Sequence, residues 1–278
     1  MKRNTVYAIS GSVLLMLMLS GSCGKTDLVR LELENGNTEL KECVITSIGT
    51  GQPGSFDRYD FVYNKLKNPV SATPVGGPST GSPKWEFFYD SKNRLIQFIG
   101  VYNNARFFEF WHKYTYDKQD RIITDSTYIL GDTLHFDQSY FQGLDLISYD
   151  HLNRIDQETG TSNLSSILPP PPPPPPPGTR PSPYDARGNL LGTVIPYDNK
   201  LNPKLTNKIW RFINRDYSVN NPVGATAYNE HGFPLHFSDT TQGGPAAEIF
   251  NFGEGGSLAG VNFQYDCQEG LDGGHGDY

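Results

Sequence analysis

Aromatic residues alternate with other side chains in several short runs, such as Trp85-Glu86-Phe87-Phe88-Tyr89 and Tyr114-Thr115-Tyr116. A period near two puts alternate side chains on one face of a pleated strand, so these runs predict half-buried strands. No long stretch carries the apolar period of an amphipathic helix. One short helix is expected, over Asn207 to Phe212.

Each aromatic run leads into a seven-residue phrase, Tyr-(Asp/Asn)-x-x-(Asn/Asp/Gly)-x-(Leu/Ile/Pro). It starts at Tyr89, Tyr116, Tyr149, Tyr184 and Tyr228. The second residue (Asp90, Asp117, Asp150, Asp185 or Asn229) can fold its side-chain oxygen onto backbone two residues on and start a turn. The fifth (Asn93, Asp120, Asn153, Gly188 or Gly232) is a type that tolerates a left-handed backbone, as a short hairpin loop requires. Apolar residues then restart an extended chain, as at Leu95-Ile96 and Ile122-Ile123. These residues predict an all-β fold: an antiparallel meander of hairpins in one large twisted sheet, with long Gly- and Pro-rich loops. Uneven spacing of the phrases argues against a closed propeller. A sister phrase, Tyr63 to Pro69 and again Tyr197 to Pro203, ends in Asn-Pro. Proline disfavours helical geometry in the residue before it, so each copy is expected to end its strand in a longer loop. The two copies also suggest related halves or a repeated edge element.

The N-terminus speaks to location. Lys2 and Arg3 precede a short apolar core, Val13 to Leu19, and Ser20-Gly21-Ser22 precedes Cys23. The apolar core is shorter than the roughly 20 residues a membrane-spanning helix needs, so it reads as an export signal. The predicted organisation is a signal peptide over 1–22, a tether over 23–39, a β domain over 40–267 and a tail over 268–278. Residues 169–183 form a Pro-rich insertion, whose nine prolines (Pro169 to Pro177) should extend about 28 Å as polyproline II.

Cys43 and Cys267 sit near the two ends of the mature chain, each in a strand-like context. In an oxidising compartment they are candidates for a disulfide, worth about 4 to 5 kcal/mol for a loop of this length. Two separate buried thiols are the alternative. With 16 Tyr and 16 Phe, the chain concentrates apolar area in few side chains, while 29 Gly and 21 Pro assign much of it to loops. The net charge of −7 becomes two units more negative once Lys2 and Arg3 are removed, which argues against nucleic acid.

No hydrolase elbow, zinc-protease motif, phosphate loop or paired CxxC occurs. The six histidines are scattered. His112 is expected to pair across strands, and His231 and His236 flank a turn. The aspartates of the phrase are assigned to turns, so no catalytic residue, metal ligand or cofactor is expected. The reading is non-enzymatic. Trp85, Trp111 and Trp210 could stack on sugar rings, although alternation places Trp85 and Trp111 on buried faces.

Small residues directly before Cys23 resemble the lipobox of bacterial lipoproteins. The resemblance implies cleavage before Cys23 and lipidation of that residue, with Ser20 standing where the usual leucine would be. YDSKNRL, YDKQDRI and YDARGNL resemble the YD repeats of Rhs-type proteins. With the lipobox, the first-strand cysteine and YDNKLNP, the chain resembles a β-rich lipoprotein family of Bacteroidota. This resemblance covers residues 40 to 267. It implies a cell-envelope protein, anchored by lipid to the outer membrane on its periplasmic or surface face, that binds an unknown protein or glycan partner. The alternative is a carbohydrate-binding accessory lipoprotein of a nutrient-uptake system. Three tripeptides, Asp125-Ser126-Thr127, Asp132-Thr133-Leu134 and Asp239-Thr240-Thr241, resemble O-glycosylation acceptors of the same phylum, which implies exposed loops.

Overall fold

A computed structural model describes residues 32–50, 58–102, 106–136, 139–162, 182–192, 196–222, 224–238 and 261–267. The leader, Cys23, the proline run, Asp239-Thr240-Thr241 and the tail lie outside the described residues. The strands are β1 (Cys43–Thr50), β2 (Arg58–Tyr63), β3 (Pro69–Pro74), β4 (Lys84–Tyr89), β5 (Leu95–Val101), β6 (Phe107–Tyr116) and β7 (Ile122–Asp132). They continue with β8 (Tyr140–Tyr149), β9 (Ile155–Ser162), β10 (Tyr197–Leu201), β11 (Asn220–Pro222), β12 (Ala225–Tyr228), β13 (Pro234–Phe237) and β14 (Val261–Cys267). A 3-10 turn over Pro203–Thr206 leads into one short helix, α1 (Lys208–Ile213).

Among the described residues, twelve strands form one antiparallel sheet in the order β12-β13-β14-β1-β2-β3-β4-β5-β6-β7-β8-β9, and β10 pairs separately with β11. The all-β meander is therefore the observed fold. The phrases join β4 to β5, β6 to β7, β8 to β9 and β12 to β13. Alternate connections of an antiparallel meander fall at the same end, so these turns share one end of the sheet.

The turns are built alike. In the Tyr89 phrase, Asp90 Oδ1 accepts from the N–H groups of Lys92 and Arg94, while Asp90 N–H donates to Arg94 C=O. Asp117, Asp150 and Asp185 accept in the same two ways. The fifth residues Asn93, Asp120, Asn153, Gly188 and Gly232 all have φ between 57° and 84°. That region suits Gly, Asn and Asp, whose small or locally bonding side chains limit the clash.

The phrase at Tyr63 departs from expectation. Lys67 takes the left-handed position, Asn64 Oδ1 accepts from Leu66 and Asn68 N–H, and β3 starts at once. Asn-Pro does not end the strand here, because proline lacks only an N–H and can occupy a strand's first residue. The copy at Tyr197 behaves differently again. Its Tyr-Asp lies inside β10, and Asn202 caps the 3-10 turn. The two copies therefore do not mark related halves.

Tyrosine then fastens each hairpin to its neighbour. Tyr89, Tyr116 and Tyr149 donate their hydroxyls to the carbonyls of Pro69, Leu95 and Ile122, each the seventh residue of the preceding phrase. Burial pushes these phenols up in pKa, so they stay protonated donors. Tyr265 donates to Pro234 and Tyr63 to Ile45, which continues the series across β14 and β1. There Tyr265 faces Ile45 and Cys43 faces Cys267, and the two cysteines form a disulfide. Tyr265-Asp266 and Ile45 thus act as the two halves of one more phrase, with the disulfide in place of its turn.

Residues 182–192 and 196–222 cross one face of the sheet. Trp210 and Ile209 are buried, and Trp210 meets Phe61 of β2 and Phe87 of β4 edge to face. Phe212 packs on Tyr114 of β6, and Arg215 reaches Glu158 of β9. A flat sheet would separate β2 from β9 by about 34 Å, whereas α1 is about 9 Å long. One short helix serves both strands because the sheet curls around it. Buried Arg211 donates to the carbonyls of Asn35, Thr38 and Tyr217. Burial pulls its pKa down to about 10, which leaves it charged at neutral pH. Residues 32–39, assigned to the tether from sequence, are consequently part of the packed domain.

One comparison separates turn chemistry from burial. The Asp150–Arg154 pair is buried, whereas Asp117–Arg121 is partly exposed. Asp117→Ala loses two backbone hydrogen bonds and should cost about 1 to 2 kcal/mol. Asp150→Ala also strands a buried guanidinium and should cost about 3 to 5 kcal/mol. Urea unfolding of the two variants measures the difference; equal costs would refute it.

Candidate functional site

The curled face carries a polar cluster beyond the C-terminal end of α1. It starts on β6 with His112, whose ring packs between Phe98 and Tyr114 on the face that holds the helix. Across the ladder, Tyr114 pairs with Asp125 of β7, Asp125 with Asp145 of β8, and Asp145 with Gly160 of β9. Glu158 of β9 and Arg215 complete the group.

Arg215 holds the cluster together from an unusual backbone position. It follows the last helical turn at φ 52°, where a helix commonly ends on glycine. Its guanidinium donates to Phe212 C=O (2.7 Å), to Asp125 Oδ2 (2.7 Å) and to Glu158 Oε1 (2.9 Å). These bonds tie the helix end to β7 and β9 and offset the cost of a left-handed arginine. Asp125 Oδ1 lies 3.0 Å from His112 Nδ1, so a carboxylate accepting there fixes the proton on Nδ1. Thr127 Oγ1 lies 3.2 Å from the same nitrogen.

The two facing aspartates are driven apart in acidity. Burial alone would raise Asp125, but His112 and Arg215 outweigh it and lower its pKa. Asp145 is raised, first by burial and then by the negative charge of Glu158 and Asp125. Gly160 leaves room for it, since a Cβ there would come within 2.7 Å of Asp145 Oδ1. The cluster presents an imidazole, a guanidinium and three carboxyl groups, of which Asp125 is lowered and Asp145 raised in pKa. Such a surface can hold a polar ligand by several directed hydrogen bonds.

A second feature lies where the stacked turns meet α1. This cleft, of about 90 Å³, is lined by Arg94, Arg121, Asp120, Tyr116, Lys208 and Phe212 among others. It is small beside the roughly 300 to 1,000 Å³ of most small-molecule sites. Arg94 lies over Tyr116 and bonds Asp90 and Asp120, while Arg121 is held by Asp117. These cations are engaged in holding successive turns together.

The residues singled out from sequence fall into separate places. The turn tyrosines and aspartates line one end of the sheet. The Tyr184 turn stands apart from it: Tyr184 bridges Leu190, and Arg154 lies over its ring. His231 and His236 do not come together, since His236 bonds Asn262 and His231 lies beside the cysteines. Trp85 and Trp210 belong to the core. Trp111 packs with Tyr128 and Phe136 outside that core, with Lys113 Nζ 4.2 Å from its ring. Asp125-Ser126-Thr127 lies within β7, not in a loop, and Asp125 is buried. Asp145, Glu158 and Arg215 were missed. Asp145 and Glu158 are charges set among alternating strand positions and Arg215 is a charge just past a short helix, so no spacing links them.

No family model matches the chain, and a search of curated proteins finds no match. The site therefore has to be read from its own chemistry.

Asp145, raised in pKa by burial and by the negative charge of Glu158 and Asp125, links stability to pH with a definite sign. A carboxyl raised on folding binds its proton more tightly in the native state, so that stabilisation exists at low pH and is lost as pH rises through the folded pKa. Asp145→Asn should therefore raise the urea midpoint at pH 7, with the advantage disappearing at pH 3. An unchanged or lower midpoint at pH 7 would contradict the assignment.

Proposed function

We propose that this is a lipid-anchored cell-envelope protein whose β domain binds a partner and performs no catalysis. The observation that carries the reading is the Cys43–Cys267 disulfide, which joins the first and last strands of the large sheet. Such a bond belongs to an oxidising compartment, where the leader before Cys23 would also direct the chain. The polar cluster around Arg215 supplies the binding surface. Several of its groups are committed to one another, which suits recognition better than a reaction that must free a base and an acid.

A carbohydrate-binding accessory role is the second reading. Two of the three tryptophans that could have served as sugar platforms are buried, leaving Trp111. A polar face with directed hydrogen bonds suits a glycan as well as a protein, and a glycan-array screen of the mature domain separates the two.

The anchor has its own test. Cells expressing the full chain should incorporate labelled palmitate into it, and Cys23→Ala should abolish the label while leaving expression intact. Unchanged labelling of Cys23→Ala would sink the anchor.

A further inference from the structure

The split phrase between β14 and β1 places a third side chain beside its two sulfurs. His231 is the fourth residue of the Tyr228 phrase, and that turn lies at the same end of the sheet as the disulfide. A ring nitrogen of His231 and the sulfurs of Cys43 and Cys267 all lie within 4.8 Å of one another. Cys43 is fully buried, while His231 and Cys267 are partly exposed.

We propose that Cys43, Cys267 and His231 form a zinc site when the disulfide is reduced, so that the same end of the sheet is closed either by a covalent bridge or by a metal ion. Two thiolates and an imidazole are a ligand set that zinc accepts, with water at the fourth position. Tetrahedral zinc needs sulfurs about 3.8 Å apart and each sulfur about 3.6 Å from the nitrogen. The three side chains reach that geometry by movements of an ångström or two, with β1 and β14 still paired.

The surroundings support ligation. Asn229 Nδ2 lies 3.7 Å from Cys267 Sγ, placed to donate to a thiolate. Glu230 Oε1 lies 3.7 Å from His231 Nε2 and adds negative charge beside the imidazole. Opening the bridge takes two electrons and two protons from a dithiol, which closes to its own disulfide. Zinc then displaces the two thiol protons.

The test uses the full chain in detergent with Cys23→Ala, so that no other thiol is present, and a phosphine as reductant. Titration with Co²⁺ should give a near-ultraviolet thiolate-to-metal band saturating at one ion per chain, which Zn²⁺ abolishes. The oxidised chain should give none. His231→Ala, its strand content checked by circular dichroism, should bind Co²⁺ at least tenfold more weakly. An absent band in the reduced chain, or equal affinity in His231→Ala, overturns the proposal. A reduced chain that loses its strand signal and does not regain it with Zn²⁺ overturns it equally. Every result is independent of whether Cys23 carries lipid.

Discussion

The large sheet depends on one hydrogen bond made again and again. A tyrosine at the end of one strand donates to the carbonyl of the first residue of the strand before it, as Tyr116 does to Leu95 and Tyr149 to Ile122. Each bond contributes only about 1 kcal/mol. Its greater effect is on register. A strand slipped by one residue would send its inward side chains outward and take the hydroxyl away from its acceptor. The aspartate closes a turn upon itself, and the tyrosine sets where that turn stands relative to the last one. Neither would stack the hairpins alone.

Stacked turns at one end leave the strands free to curl, and the curl creates a space that α1 fills. Trp210, Phe61 and Phe87 provide the apolar part of that contact. A helix of two turns cannot cover the inner face of every strand, so the region past its end is closed by charge. Arg215 reaches there from a left-handed position, and Gly160 makes space opposite Asp145. The polar cluster is thus a consequence of the same geometry as the core. Its exposed members remain available because the helix stops where it does.

What could be read from the chain was what is local. Asp90 and Asn93 declare a turn within five residues, and the backbone at Asn93, Asp120 and Asn153 has the conformation their side chains imply. Tyr63 was misread for a reason that is also local: proline at the seventh place resembles a stop, yet Pro69 needs no N–H to begin a strand. The long-range features left no such trace. The halves of the phrase at Tyr265 and Ile45 lie at opposite ends of the domain, and only pairing brings them into one frame. Asp125, Asp145, Glu158 and Arg215 come from three strands and a helix end, with no spacing to connect them. Tyr184 shows the limit of the motif itself. Its turn forms by the same hydrogen bonds, but the turn stands outside the main sheet.

The disulfide occupies the one position in the run of hairpins where the chain is not continuous. Elsewhere seven residues make the connection and tolerate many side chains at the variable positions. Here β1 and β14 come from sequence positions 224 residues apart, and chain entropy opposes their pairing. A crosslink at that junction removes most of the opposing entropy, whereas the same crosslink across any phrase would remove little. Cys43 and Cys267 are therefore placed where a bond between side chains has the greatest leverage on the fold.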